Sequence, residues 1–153
     1  MMEWSEAFGD VPVYVHADDS EWVQRSGPAL TPWTGEILEL NQATLIRCGG
    51  HFAGSSVLYC PWLDDGRGAL FTGDTMQVTL DRSYVSFMRS FPNLIPLNAG
   101  TVRGIGEAVR PFRFDAIYGG FPGRTIKRDG SPVVERSVAR YIAALEDHSI
   151  RQE

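Results

Sequence analysis

The sequence predicts an α/β or α+β sandwich, and two observations carry that prediction. Between residues 36 and 72, short apolar runs rich in β-branched and aromatic residues alternate with Gly- and Asp-rich turns. After Ser131, apolar residues recur instead at three- and four-residue spacing, the signature of an amphipathic helix. No internal repeat, low-complexity tract or linker divides the chain, so residues 1–153 read as one domain, large enough to bury most of its apolar surface.

The elements follow in order. Val11-Pro12-Val13-Tyr14-Val15 reads as a short strand entered through Pro12. Asp18-Asp19-Ser20-Glu21 reads as the start of a short helix that turns Trp22 and Val23 inward. Glu36–Leu40, Ala43–Cys48, Ser56–Cys60 and Ala69–Thr72 are too short for helices and too apolar for loops, so they read as buried strands. Gly49-Gly50 and Asp64-Asp65-Gly66-Arg67-Gly68 are turns. Ser83–Met88 and Thr101–Val109 read as short helices, the second capped by Thr101. Phe114–Tyr118 is a further strand, closed by Gly119-Gly120. The last helix opens at Ser131-Pro132 and presents Val134, Val138, Tyr141, Ile142 and Leu145 on one face.

Composition narrows the function classes. A net charge of -5, with basic residues only single or paired, offers no stripe for phosphate neutralisation and argues against nucleic-acid binding. No run approaches the ~20 apolar residues that cross a bilayer. The acidic start, Met1-Met2-Glu3-Trp4-Ser5-Glu6, lacks the basic and apolar regions of a secretory signal, so no membrane association and a cytoplasmic location are expected. Two cysteines, Cys48 and Cys60, make no disulfide framework and read as small core residues. Trp4, Trp22, Trp33 and Trp62 read as core and rim packing, one of them available to line a cleft.

Candidate chemistry rests on two strand ends. His51 follows an apolar strand and a Gly-Gly turn, and Asp74 stands one glycine beyond the strand Ala69–Thr72. Loops at strand ends are where a rigid sheet positions metal ligands and catalytic groups. Imidazole and carboxylate both suit zinc or another divalent ion. On spacing alone, a hydrogen-bonded histidine and an Asx turn account for the same residues. His16, also at a strand end, reads as a hydrogen-bonded structural histidine, and His148 as solvated. Asp18, Asp19, Asp64 and Asp65 read as helix-start and turn residues, and Ser55 and Ser56 have no partner base at recognisable spacing.

Gly49-Gly50-His51-Phe52-Ala53-Gly54-Ser55 resembles the third metal-binding motif of the metallo-β-lactamase superfamily, and Phe71-Thr72-Gly73-Asp74-Thr75 resembles the fourth. Val13–Asp19 is similar to the segment that precedes them, and the resemblance runs from about Trp4 to Tyr118. It implies a four-layer αββα sandwich with ligands along one edge between the sheets. His51 would be a first-site zinc ligand; Asp74 would bridge two metals and, as the catalytic group, orient the nucleophile. The implied activity is metal-dependent hydrolysis of a small-molecule thioester, lactone, lactam or phosphodiester.

The departures from the family are specific. Its His-x-His-x-Asp-His loop occurs nowhere, and its place would fall before Met1, since Met1–Phe8 resembles the helix that follows that loop. Gly119-Gly120-Phe121 stands where the final histidine is expected. The reading is therefore of a partial, N-terminally truncated domain lacking the first strands of the N-terminal sheet. A catalytic zinc needs three protein ligands and an open position, and only two are supplied. The alternative is a non-catalytic scaffold or binding domain, forming a homo-oligomer through an exposed sheet edge.

Overall fold

The computed structural model describes residues 2–146; His148 lies outside the described residues. Its central element is a mixed six-stranded sheet in the order β12-β11-β6-β5-β4-β3. The strands are β3 (Ile37–Glu39), β4 (Thr44–Arg47), β5 (Ser56–Cys60), β6 (Ala69–Gly73), β11 (Ala116–Gly119) and β12 (Thr125–Ile126). β3 to β6 form an antiparallel meander, and β11 then pairs with β6 in parallel. Before this sheet come α1 (Met2–Ala7) and a separate parallel pair of β1 (Val13–His16) with β2 (Leu30–Trp33). A 3₁₀ turn, Ala17–Trp22, leaves the end of β1, and α2 (Leu63–Gly66) is a single turn between β5 and β6. Asp64 and Asp65 there adopt φ of 56° and 58°, the left-handed region that aspartate tolerates in turns.

Pairing register separates the two faces of the sheet. Ile46 opposite Val57, and Tyr59, Leu70, Ile117 and Ile126 in line across the strands, point toward the helices. There they meet Val102, Ile105 and Val109 of α3 (Ala99–Val109) and Val133 and Val134 of α4 (Gly130–Glu146). The opposite face carries a second row, Leu38-Leu45-Leu58-Phe71-Tyr118, each residue directly across from the next. Its leucines are half-buried, and Phe71 and Tyr118 stack at 5.0 Å with each ring residue 38% exposed.

Several expectations are corrected. Ser83–Met88 is not a helix: β8 (Val85–Ser86) pairs with β7 (Gln77–Val78), and β9 (Met88–Ser90) pairs with β10 (Ile95–Pro96). Val85 and Phe87 are both buried, a period of two that a helix cannot satisfy. These strands are fastened to α4 by side chains: Ser137 Oγ accepts from Val85 N (3.0 Å), and Tyr141 Oη donates to Phe87 O (2.5 Å). The cap of α3 is Asn98, whose Oδ1 accepts from Thr101 N at 2.9 Å, so Thr101 is capped rather than capping. α4 begins at Gly130, placing Pro132 inside the first turn, where a missing N–H costs nothing. Leu145 is 39% exposed, beyond the end of the helix's packed face. Trp22 is turned outward, because the segment Ala17–Trp22 is a 3₁₀ turn capped by the His16 side chain instead of an amphipathic helix opened by Asp18. Only Trp33 of the tryptophans is in the core; Trp4, Trp22 and Trp62 are exposed.

Cys48 and Cys60 are free thiols, Cys60 buried and Cys48 half-buried against the core, as small packing residues should be. Burial pushes the Cys48 thiol up to about 12, which removes thiolate reactivity near neutral pH. Among the described residues no helix is long and apolar enough to cross a membrane.

Candidate metal centre

Because β4 runs parallel to β6, and β6 to β11, all three strands deliver the chain to the same end of the sheet. β4 leads to His51, β6 to Asp74 and β11 to Gly119-Gly120. Topology therefore gathers the three ligand positions expected at these strand ends, two with their side chains and the third without one.

The His51 loop needs both of its leading glycines. Gly49 and Gly50 have φ of 65° and 95°, and a Cβ on Gly50 would meet Ile105 Cδ1 at 2.9 Å and Leu97 Cδ1 at 3.0 Å. Backbone bonds then close the loop: Cys48 N and Gly49 N both donate to Ser55 O, at 2.8 and 2.9 Å. Ser55 Oγ accepts from Phe52 N at 2.8 Å, and Ser56 Oγ donates to Gly54 O at 2.7 Å. The two serines are thus committed to holding the loop, in keeping with their lack of a partner base.

The imidazole of His51 is held on three sides. Its Nδ1 lies 3.0 Å from Met88 O, and since a carbonyl only accepts, Nδ1 carries a proton, which in the neutral imidazole leaves the lone pair on Nε2. Phe52 meets the ring edge-on at 5.0 Å, and Phe91 lies beside it at 5.6 Å. A histidine fixed through one nitrogen to a carbonyl, with the other free, is the arrangement that orients metal-ligating histidines. Nε2 lies 3.9 Å from Asp74 Oδ2. Asp74 follows Gly73 at the tip of a turn closed by Thr75 N to Thr72 O (3.1 Å) and Thr72 Oγ1 to Met76 O (2.7 Å). Thr72 and Thr75 are buried while the Asp74 side chain is 52% exposed, so the turn is rigid beneath and open above.

The donor set fits a divalent metal in part. Two donors on one zinc, each about 2.0–2.2 Å from the ion, stand some 3–3.5 Å apart, close to the observed 3.9 Å. Among the described residues no third His, Cys, Asp or Glu joins them. At the β11 end, Gly120 lies against Gly73, a Cβ there falling 3.5 Å from its backbone, with no side chain to contribute. His16 is not available: it is 6% exposed, its Nε2 donates to Gly35 O (3.0 Å), and its Nδ1 accepts from Asp18 N (3.2 Å).

Beside His51 lies a cleft of about 650 Å³, within the range of small-molecule sites. Trp22 and Phe52, in contact at 5.4 Å, line it with Leu97, Arg89 and Thr101. Asp74 does not line it, so the cleft approaches the pair from the histidine side.

Two solved structures with a similar course of chain are metallo-β-lactamases. A B3 metallo-β-lactamase with an active-site glutamic acid aligns with 96% of this chain and 65% of its own, at a TM-score of 0.56 and 16% identity. A metallo-β-lactamase from Staphylococcus aureus subsp. aureus COL aligns with 99% of this chain and 48% of its own, at 0.55 and 12%. The fold is metallo-β-lactamase-like. At such identities the likeness concerns the fold alone. By sequence, the chain is 44% identical over 145 residues to the uncharacterized protein YmaE of Bacillus subtilis (strain 168). That match covers 94% of this chain and 52% of YmaE, so the chain spans about half the length of the curated relative it matches. No family model matches.

Proposed function

We propose that His51 and Asp74 are two ligands of a divalent-metal centre of the hydrolytic type, for zinc or another divalent ion that imidazole and carboxylate suit. The observation that carries this reading is the juxtaposed pair: Nε2 and Oδ2 at 3.9 Å, with Nδ1 fixed to Met88 O. A metal held at such a centre lowers the pKa of its bound water to about 7 and polarises the bond to be cleaved. The chain's own residues orient the imidazole, present an open carboxylate and line an adjoining cleft for a small-molecule substrate. Two donors give weak binding, and the remaining ligands of a working site would come from outside the described residues. Calorimetric titration with zinc tests this: weak binding to the unmodified chain, lost in both His51→Ala and Asp74→Ala, is expected. Binding unchanged by either substitution would refute it.

A second reading, a non-catalytic scaffold that associates with a second copy of itself, is favoured by the row Leu38-Leu45-Leu58-Phe71-Tyr118. An apolar row crossing five strands suits face-to-face packing of two sheets about 10 Å apart. Equilibrium sedimentation should then show a dimer that Phe71→Lys and Tyr118→Lys each dissociate. A monomer at all concentrations would remove this reading.

A further inference from the structure

The acidic turn after β1 is absorbed by neither reading, yet it reaches the His51 loop. Asp19 stands on the 3₁₀ turn Ala17–Trp22, and its Oδ1 accepts the Gly54 N–H at 2.6 Å. We propose that Asp19 is a positioning residue for His51, fixing the far side of the loop that carries the imidazole. The functional consequence rests on the reading of His51 as a metal ligand; the structural one does not.

Three observations support it. First, the bond is a charge-assisted one from backbone to carboxylate, stronger than a neutral bond. Second, the fit leaves no slack: a Cβ on Gly54 would come within 2.7 Å of His16 Cβ and 2.8 Å of Asp19 Cγ, so the loop backbone lies directly on the turn. Third, the turn is itself anchored. His16 is buried and tied to Gly35 O and Asp18 N, and Asp18 Oδ2 pairs with Arg47 Nη2 at 2.6 Å. Arg47 ends β4, the strand that leads into the loop, so one turn grips the loop before His51 through Arg47 and after it through Gly54. Asp19 touches neither the imidazole nor Asp74 and acts through the backbone alone.

The test compares Asp19→Ala, which removes the acceptor, with Asp19→Asn, which keeps a side-chain oxygen in its place. Amide hydrogen exchange at Gly54 and its loop neighbours is the first readout, with β5 and β6 amides as the check that the fold is intact. Losing a hydrogen bond to a charged group should speed Gly54 exchange roughly 10- to 100-fold in Asp19→Ala, while Asp19→Asn, which keeps a neutral acceptor, should fall between that variant and the unmodified chain. Zinc affinity, the second readout, should fall about 10- to 100-fold in Asp19→Ala, as for other groups that orient a ligand, and be rescued in part by Asp19→Asn. Gly54→Ala should reproduce Asp19→Ala by forcing the loop off the turn. Unchanged Gly54 exchange in Asp19→Ala, or Asn behaving as Ala, would overturn the proposal. If the unmodified chain takes up no zinc but exchange separates Ala from Asn as stated, the metal reading fails and the clasp stands.

Discussion

On the helix side of the six-stranded sheet, Leu70 and Ile117 are wholly buried beneath α3 and α4, and the Val85 N–H to Ser137 and Tyr141 hydroxyl to Phe87 O bonds fasten the neighbouring hairpin segment to α4. On the other side, residues one position along the same strands, Phe71 and Tyr118, stack on each other and remain 38% exposed. Side chains alternate between the two faces, and among the described residues the helix face is covered fully and the other only in part. The proposed ligands His51 and Asp74 stand beyond the ends of β4 and β6 in the same sheet, with the His51 side chain held and Asp74 open. One face of a sheet can thus be closely packed while the other stays partly open.

The sharpest way to break this comparison is to truncate one residue on each face. Leu70→Ala or Ile117→Ala should lower unfolding free energy by about 2–5 kcal/mol in urea titrations. Phe71→Ala should cost less, about 1 kcal/mol, since this residue is 38% exposed and leaves no enclosed cavity. Equal costs would mean that the outer face is covered in solution. A smaller effect is expected at the cap of α3, where Asn98→Ala should cost about 1 kcal/mol in the same assay by freeing Thr101 N.

The smallest effect concerns acid. The Asp129 N–H, at 2.6 Å, holds the Asp115 carboxyl below the usual aspartate range, with Arg67 at 2.9 Å adding to it. A depressed carboxyl contributes stability that is present above its unfolded value of about 4 and is lost as pH falls toward the lower folded value. Thermal midpoints measured from pH 5 downward should therefore fall more steeply for the unmodified chain than for Asp115→Asn. Parallel curves would show that this link between β11 and the start of α4 carries no net stability.

Much of this was legible from residues alone, for a physical reason in each case. β4, β5, β6 and β11 announce themselves as short apolar runs closed by glycine or a polar turn, and α4 by its helical period. Ser83–Met88 was misread because six residues fit a helical turn as easily as two strands, and only the burial of both Val85 and Phe87 separates them. His51 and Asp74 could be picked out because strand-end glycines frame them. What holds His51 could not: its Nδ1 partner is a backbone carbonyl 37 residues away, and no side chain marks it. The Asp19 contact was equally hidden, since a carboxylate in a turn has a sufficient local explanation and its true partner is the amide of Gly54. The Asp18–Arg47 pair is long-range in the same way.

The central claim, that His51 and Asp74 form a metal-binding pair, is tested most directly by following the imidazole ¹⁵N resonances of all three histidines during zinc addition. The account predicts that His51 Nε2 shifts first and that His16, with both ring nitrogens already engaged, does not move. It also predicts that Asp74→Asn weakens the His51 response. Zinc that leaves His51 unmoved, or moves it equally in Asp74→Asn, would contradict the claim.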